Sequence, residues 1–224
     1  MCIRDSIKYY PTDLIESPKI GLKLTDTLSL IEIDKLLIPI ERWFEKQGWS
    51  ASPFQKQTWN AYLCGNSGLI QVPTGSGKTY AAVMGPIARI LADENKQRGL
   101  RVLYLTPLRA LSRDLKLAIQ DPIETMQWPI RVATRNGDTT TSERAKQLKS
   151  PPEILVTTPE SLCVILSNQK AKGIFNELHT VILDEWHELM GSKRGSQTEL
   201  ALSWLKQQRP SLQIWALSAT IGNV

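Results

Sequence analysis

Two short segments carry the residue types that phosphate chemistry needs. In the first, Pro73-Thr74-Gly75-Ser76-Gly77-Lys78-Thr79 follows the apolar run Leu69-Ile70-Gln71-Val72 and leads into a helical pattern over 80–91. A glycine turn between a strand and a helix lets successive backbone N–H groups curl around phosphate oxygens. The helix N-terminus adds its partial positive charge. Thr74, Gly75, Ser76, Gly77, Lys78 and Thr79 are therefore candidate nucleotide-binding residues. Lys78 would reach the β and γ phosphates of ATP, and the Thr79 hydroxyl would sit on Mg2+. The general pattern has glycine where this chain has Val72. A Gly-Ser turn that merely happens to precede Lys-Thr is the plain alternative, and the strand and helix on either side argue against it.

In the second segment, Val181-Ile182-Leu183 reads as an apolar strand that delivers Asp184 and Glu185 to its carboxyl end, where ligands sit in open α/β sheets. Adjacent carboxylates there can divide the labour. Asp184 would hold Mg2+, mostly through water, opposite Thr79, and Glu185 would orient and deprotonate an attacking water. Asp-Glu after a strand is also a common way to stabilise a helix N-terminus, and the phosphate loop earlier in the chain tips the reading towards catalysis. His187 joins the catalytic candidates Lys78, Asp184 and Glu185 for the same reason, while His179 keeps a structural role.

Elements must position these groups. Apolar runs at 68–72, 101–106, 130–134, 154–157, 180–183 and 213–217 read as strands, and stretches at 78–91, 108–120, 142–148, 159–167 and 196–208 read as helices. The last of these is expected to bury Leu200, Trp204 and Leu205. Strands alternating with helices of this length imply an α/β fold with a mainly parallel sheet covered on both faces. A further helical pattern begins at Asp26 with Leu28, Ile31, Ile33, Leu36 and Leu37 mostly on one face. Pro39 interrupts it, and Trp43 and Phe44 continue it. Residues 1–24 have no clear period. Residues 95–99 and 169–173 are polar surface loops, and most of the seven tryptophans are expected in the core. The division is a lead segment and helical extension over 1–48 and one domain over 49–224.

The 224-residue composition, 42% hydrophobic and 22% charged, excludes disorder and fibrous classes. A net charge of +5 mildly favours an acidic partner such as a polynucleotide. Cys2, Cys64 and Cys163 are too few and too scattered for a disulfide framework or a zinc site. The absence of a signal-peptide pattern and of a spanning apolar stretch points to a cytoplasmic protein with no membrane partner.

Taken together, the motifs resemble the superfamily 2 DEXH-box helicases from about residue 40 onward. Pro53-Phe54-Gln55 is similar to the segment whose glutamine, here Gln55, hydrogen-bonds adenine. Thr106-Pro107-Leu108-Arg109-Ala110-Leu111, Gly137-Asp138-Thr139 and Thr157-Thr158-Pro159-Glu160-Ser161-Leu162 resemble successive nucleic-acid-binding motifs. Ser218-Ala219-Thr220 resembles the motif that couples the nucleotide site to strand movement. Asp184-Glu185-Trp186-His187-Glu188-Leu189, with Gly191-Ser192-Lys193-Arg194-Gly195 and Leu217-Ser218-Ala219-Thr220-Ile221-Gly222-Asn223, resembles the large helicase-related (Lhr) group. Within it, the likeness is greatest to the ligase-associated DEXH-box DNA helicases.

The resemblance implies a RecA-like P-loop NTPase domain, DNA as substrate, ATP and Mg2+ as cofactors, 3′ to 5′ translocation and a role in DNA repair. It also implies that motifs at strand ends opposite the ATP site grip one strand through sugar and phosphate, with low sequence specificity. Arg109 would supply charge, Thr139 and Thr158 hydroxyl or backbone N–H contacts, and Pro107 and Pro159 turn geometry, while Ser218 and Thr220 would couple the two sites. Lys193 and Arg194 either touch DNA or occupy a solvated loop. Family members use a second motor domain carrying arginine fingers, which is expected to be absent from residues 1–224. The chain would then bind ATP but hydrolyse it feebly and not unwind. An RNA-remodelling ATPase, a nucleotide-gated binding module without turnover, and a transport- or kinase-type P-loop protein are the competing readings. The last would not need Thr106-Pro107 or Ser218-Ala219-Thr220 at these places.

Overall fold

In the computed structural model, residues 7–9, 30–94, 98–168, 173–189 and 192–219 are described. Among the described residues seven strands form one sheet: β1 (Ile7–Tyr9), β2 (Gly68–Gln71), β3 (Val102–Leu105), β4 (Val132–Arg135), β5 (Ile154–Thr157), β6 (Thr180–Leu183) and β7 (Gln213–Ser218). Their order is β1-β2-β7-β6-β3-β5-β4. The pairings from β2 to β4 are all parallel, and only β1 runs antiparallel, against β2. The six parallel strands are the six apolar runs expected from sequence. The central strands β3, β5 and β6 are buried along their whole length, as parallel strands covered on both faces must be. Strand β1 was not anticipated and adds an antiparallel edge.

The helices are α1 (Leu30–Lys46), α2 (Pro53–Leu63), α3 (Lys78–Leu91), α4 (Arg109–Thr125), α5 (Thr141–Lys149), α6 (Pro159–Leu166), α7 (Trp186–Leu189) and α8 (Lys193–Gln208). One hydrophobic cluster joins α1, α2, α3 and α4 to one face of the sheet, and a second joins α6 and α8 to the other. Side chains alternate between the faces, so Val102 and Tyr104 enter the first cluster and Leu103 and Leu105 the second.

Four expectations need correction. Helix α1 is continuous through Pro39. A proline in a helix interior costs about 3 kcal/mol, but Ile33, Leu37, Ile40, Trp43 and Phe44 are all buried on this helix, each contributing roughly 1.5–3 kcal/mol. The packed face outweighs the break. On the same helix Ile31 is 70% exposed, so the inward stripe starts at Ile33. Residues 26–29 lie outside those described.

Helix α8 presents a different face from the one expected. Leu205 is fully buried, but Leu200 is 72% and Trp204 38% exposed. At about 100° per residue, Thr198, Ala201, Leu202 and Leu205 share one stripe, and all four are buried. Leu200 and Trp204 fall on roughly the opposite side, where the Trp204 ring meets Phe175 edge-on at 6.3 Å.

Lys193 and Arg194 are not in a loop. Ser192 caps α8, its hydroxyl oxygen accepting from Gly195 N–H, and both basic residues lie in the first turn. Arg194 stays exposed but is held against the protein, paired with Glu160 at 2.7 Å and donating to the Pro107 carbonyl at 3.4 Å. Of the tryptophans, only Trp43, Trp59 and Trp215 are fully buried; Trp49 is half exposed, and Trp128 and Trp186 are partly covered.

The α8 register predicts a sharp contrast between neighbours. Leu205→Ala should cost about 2–5 kcal/mol of unfolding free energy, whereas Leu200→Ala should stay within about 0.5 kcal/mol of the parent. Urea unfolding of the two variants measures both, and equal losses would contradict the register.

Candidate active site

Because the strands from β2 to β4 are parallel, their carboxyl ends share one edge. Strand β2 runs into the phosphate loop, β6 into Asp184, β7 ends at Ser218, β3 runs into Thr106-Pro107, β5 into Thr158-Pro159, and β4 into Asn136-Gly137. The motifs expected opposite the ATP site therefore lie on the same edge, displaced along it onto the far strands.

The loop from Pro73 closes through Ser76, whose hydroxyl donates to the Pro73 carbonyl at 2.7 Å. Gly75 and Gly77 have φ of 77° and 87°, backbone that glycine adopts without strain. At Gly77 a Cβ would also fall 2.6 Å from Gln55 Nε2. Gly77 caps α3, so the N-terminus of this 14-residue helix opens at the loop with Lys78 as its first residue. Lys78 Nζ has one long contact, 3.4 Å to the Val72 carbonyl.

Helix α2 braces the loop from behind, which sequence reasoning did not anticipate. Gln55 accepts from Ser52 N–H at 2.9 Å and donates to the Gly77 carbonyl at 3.2 Å, and Trp59 Nε1 donates to the Tyr80 carbonyl at 3.1 Å. The Ser-Pro start of α2, a favoured cap followed by proline in the first turn, was the available signal.

Asp184 and Glu185 face the loop across a cavity of about 380 Å³, lined also by Thr74, Gly75, Gly77, Lys78, Thr79, Tyr80 and Ala118. Burial, then the neighbouring Glu185 charge, push the Asp184 carboxyl up from 3.8 to about 6, against the opposing pull of the Glu185 backbone N–H, Lys78 and Tyr104. Glu185 has φ of 43°, an uncommon conformation for a non-glycine residue and one that recurs at functional sites. Its Oε2 is buried with no hydrogen bond and lies 3.4 Å from His187 Nδ1. That same imidazole nitrogen is 3.2 Å from Ser218 Oγ, and His187 Nε2 is 3.5 Å from Glu188. His187 thus links the acidic box to the end of β7, which lies between β2 and β6. Thr220 lies outside the described residues.

The donor set fits a Mg2+–nucleotide. Thr79 and Asp184 offer hard oxygens at the cavity lining, Lys78 and the helix terminus offer positive charge, and the buried, unsatisfied Glu185 oxygen offers an acceptor for water.

Further along the edge a cleft of about 180 Å³ is lined by Arg109, Arg135, Gly137, Arg144, Thr158, Glu160, Ser161 and Val164. Arg109 was expected there; Arg135 and Arg144 were not. Arg135 is 4% exposed, and burial, then the proximity of Arg144, lower its pKa. Arg144 donates to the Asn136 and Gly137 carbonyls at 3.0 and 3.2 Å. Among the described residues, none of these three arginines forms an ion pair with a carboxylate. The cleft holds three guanidinium groups, and its one carboxylate, Glu160, pairs with Arg194 instead of with them.

The expected threonines play supporting parts. Thr139 Oγ1 accepts from Asn136 N–H at 3.0 Å and shapes the turn, while Thr158 is buried and caps α6 through Ser161 N–H at 3.4 Å. Pro107 and Pro159 are buried, Pro159 as the first residue of α6. No helix among the described residues is long and apolar enough to cross a membrane.

Comparison with known proteins agrees with this geometry. A family profile described as DEAD/DEAH box helicase matches residues 52–224. The Lhr helicase/uracil glycosylase of Escherichia coli K12 is 34% identical over 197 residues, covering 80% of this chain and 13% of that protein. The ATP-dependent helicase Lhr-Core of Methanocaldococcus jannaschii is 36% identical over 196 residues, covering 82% and 23%. The structure of Mycobacterium smegmatis helicase Lhr bound to ssDNA and AMP-PNP superposes with a TM-score of 0.75 at 35% identity, covering 82% of this chain and 25% of that one. The chain thus spans between about an eighth and a quarter of the length of these relatives. The RecA-like architecture expected from the motifs is the one observed.

The raised Asp184 value fixes the sign of a pH effect. With the folded value above the ordinary one, the stability gained from its proton is fully present below about pH 4 and is lost as pH rises through about 6. Without nucleotide or Mg2+, Asp184→Asn should exceed the parent in stability by on the order of 2 kcal/mol near pH 7 and match it near pH 4. Urea titrations at both pH values measure this. A variant less stable than the parent near pH 7 would contradict a buried, repelled carboxylate.

Proposed function

The chain belongs to the DEAD/DEAH box helicase family, and on that footing we propose that it is the first motor domain of a cytoplasmic, ATP-dependent 3′ to 5′ DNA helicase of the Lhr group. The motor domain comprises residues 49–224, and residues 1–48 are an extension whose α1 docks on it. Within the group, the wording of the acidic box and of the motif ending in Thr220 favours the ligase-associated branch and a role in DNA repair. One observation carries the reading. A nucleotide-sized cavity between a phosphate loop and paired carboxylates shares a sheet edge with a cleft whose three arginines form no ion pair among the described residues.

In this reading the loop amides and Lys78 bind the phosphates, and Gln55 bridges the adenine and the loop. Thr79 and Asp184 hold Mg2+, which supplies charge neutralisation on the transferring phosphoryl group. Glu185, held by its unusual backbone conformation, orients the attacking water with one oxygen free to accept. His187 and Ser218, with Thr220, relay the state of that site. Arg109, Arg135 and Arg144 take backbone phosphates of one DNA strand, without reading bases. DNA is favoured over RNA because a structure of Lhr at 35% identity and one of the DUF1998 helicase MrfA at 28% are bound to DNA. Efficient hydrolysis and unwinding require arginines from a second motor domain, worth roughly 10³ to 10⁵ in rate.

Titration of the 224-residue chain with a fluorescent ATP analogue tests the site. Lys78→Ala should lose binding by tenfold or more, on the order of one lost charge-assisted contact. Glu185→Gln should bind like the parent. Turnover by the parent should stay slow even with single-stranded DNA. Unchanged binding in Lys78→Ala, or robust DNA-stimulated turnover by this chain, would sink the reading.

A further inference from the structure

Strand β3 lies in the interior of the sheet between β6 and β5, and Tyr104, its third residue, has no exposed surface. In register it sits opposite Ile182. Strand alternation places Asp184, two residues beyond Ile182, on that same face. This is the face packed by α3, whose second residue is Thr79. The phenol therefore arrives between the two side chains assigned to Mg2+: Asp184 acts on it through its charge and by hydrogen bonding, Thr79 by hydrogen bonding, and Glu185 more weakly through its charge.

The Tyr104 hydroxyl is nevertheless buried without a hydrogen-bond partner. Thr79 and Asp184 lie close enough to the hydroxyl to influence it by hydrogen bonding, but neither makes a bond of full geometry with it. Burial, followed by the Asp184 charge, raises its ionisation well above the ordinary value, so it stays a neutral donor. A buried donor with no acceptor pays the full desolvation of the group. Phenylalanine would fill the same space among apolar neighbours without that cost. The hydroxyl is fully used only in a second state of the site that brings the nearby Asp184 carboxylate into bonding geometry with it.

We propose that Tyr104 is a positioning residue for the Mg2+–nucleotide site: in the loaded state its hydroxyl donates to the Asp184 carboxylate and holds it towards the cation. One Asp184 oxygen already accepts from Glu185 N–H at 3.0 Å. A second donor from β3 fixes the plane of the carboxylate, so that its remaining lone pairs face the metal and its water shell. The role rests on the assignment of Asp184 and Thr79 given under the proposed function.

Tyr104→Phe removes one oxygen and leaves the ring in place. Affinity of parent and variant for a non-hydrolysable ATP analogue is measured by titration with Mg2+ and again with EDTA, alongside the thermal midpoint of the unliganded protein. The variant should lose roughly tenfold in affinity with Mg2+, the size of one hydrogen bond to a charged group. It should match the parent in EDTA, and its midpoint should be unchanged or raised. Equal affinities of variant and parent in Mg2+ would overturn the proposal, as would equal losses in both buffers with a lowered midpoint, the mark of a purely structural tyrosine. A parent whose binding does not respond to Mg2+ would instead overturn the underlying site assignment, and this role with it.

Discussion

Parallel strand pairing is the constraint on which everything else in this molecule depends. A parallel ladder forces each strand from β2 to β4 to release its chain at the same edge. Three of the helices that follow, α3, α4 and α6, begin at that edge, the last two immediately after Pro107-Leu108 and Thr158. The edge therefore gathers glycine turns, helix N-termini and the last residues of buried strands. Sheet order then sorts them. Strands β2, β7 and β6 bring together the phosphate loop, Ser218 and the acidic box, while β3, β5 and β4 bring together Arg109, Thr158 and Arg135. Strand β3 is the boundary, with Tyr104 turned to the nucleotide side and Thr106-Pro107 leading to the cleft.

Both halves of the edge are electrostatically incomplete, in opposite senses. On one side two carboxylates crowd together, and burial with the Glu185 charge holds Asp184 partly neutral. On the other side guanidinium groups, one of them almost wholly buried, face no carboxylate partner among the described residues. A protein optimised only for stability would neutralise both. A cation bound with a polyphosphate would complete the first, and a phosphodiester chain would complete the second. Arg194, tied to both the Pro107 carbonyl and Glu160, links the loop after β3 and the first turn of α6 to the start of α8.

The sequence made the periodic and the locally encoded features legible. The six parallel strands read as continuous apolar runs, and the 78–91 helix, the glycine loop before it and the acidic pair after β6 lie where their spacing put them. Features that depend on what packs against what were not legible. Leu200 and Trp204 are apolar at a helical interval, but the sheet lies against the other side of α8. Pro39 is a helix breaker whose cost is small beside the aromatic face that α1 buries. Arg135 and Arg144 were not singled out as site residues, because only the β4–β5 pairing and the Asn136-Gly137 turn bring them beside Arg109. Tyr104 read as one more apolar strand residue, and only its unsatisfied hydroxyl marks it as different. His187 was weighed as a candidate, and the structure adds the partner, Ser218, that a linear reading of the box could not supply.

The central claim, that one sheet edge holds two separate sites, is tested most directly by amide hydrogen exchange on the 224-residue chain. Exchange is compared with and without a non-hydrolysable ATP analogue plus Mg2+, and with and without single-stranded DNA. The shared edge predicts that nucleotide slows exchange at residues 73–80 and 184–187, whereas DNA slows it at 106–111, 135–141 and 157–162. Protection by DNA on the α8 face or along α1, with these three segments unaffected, would contradict it.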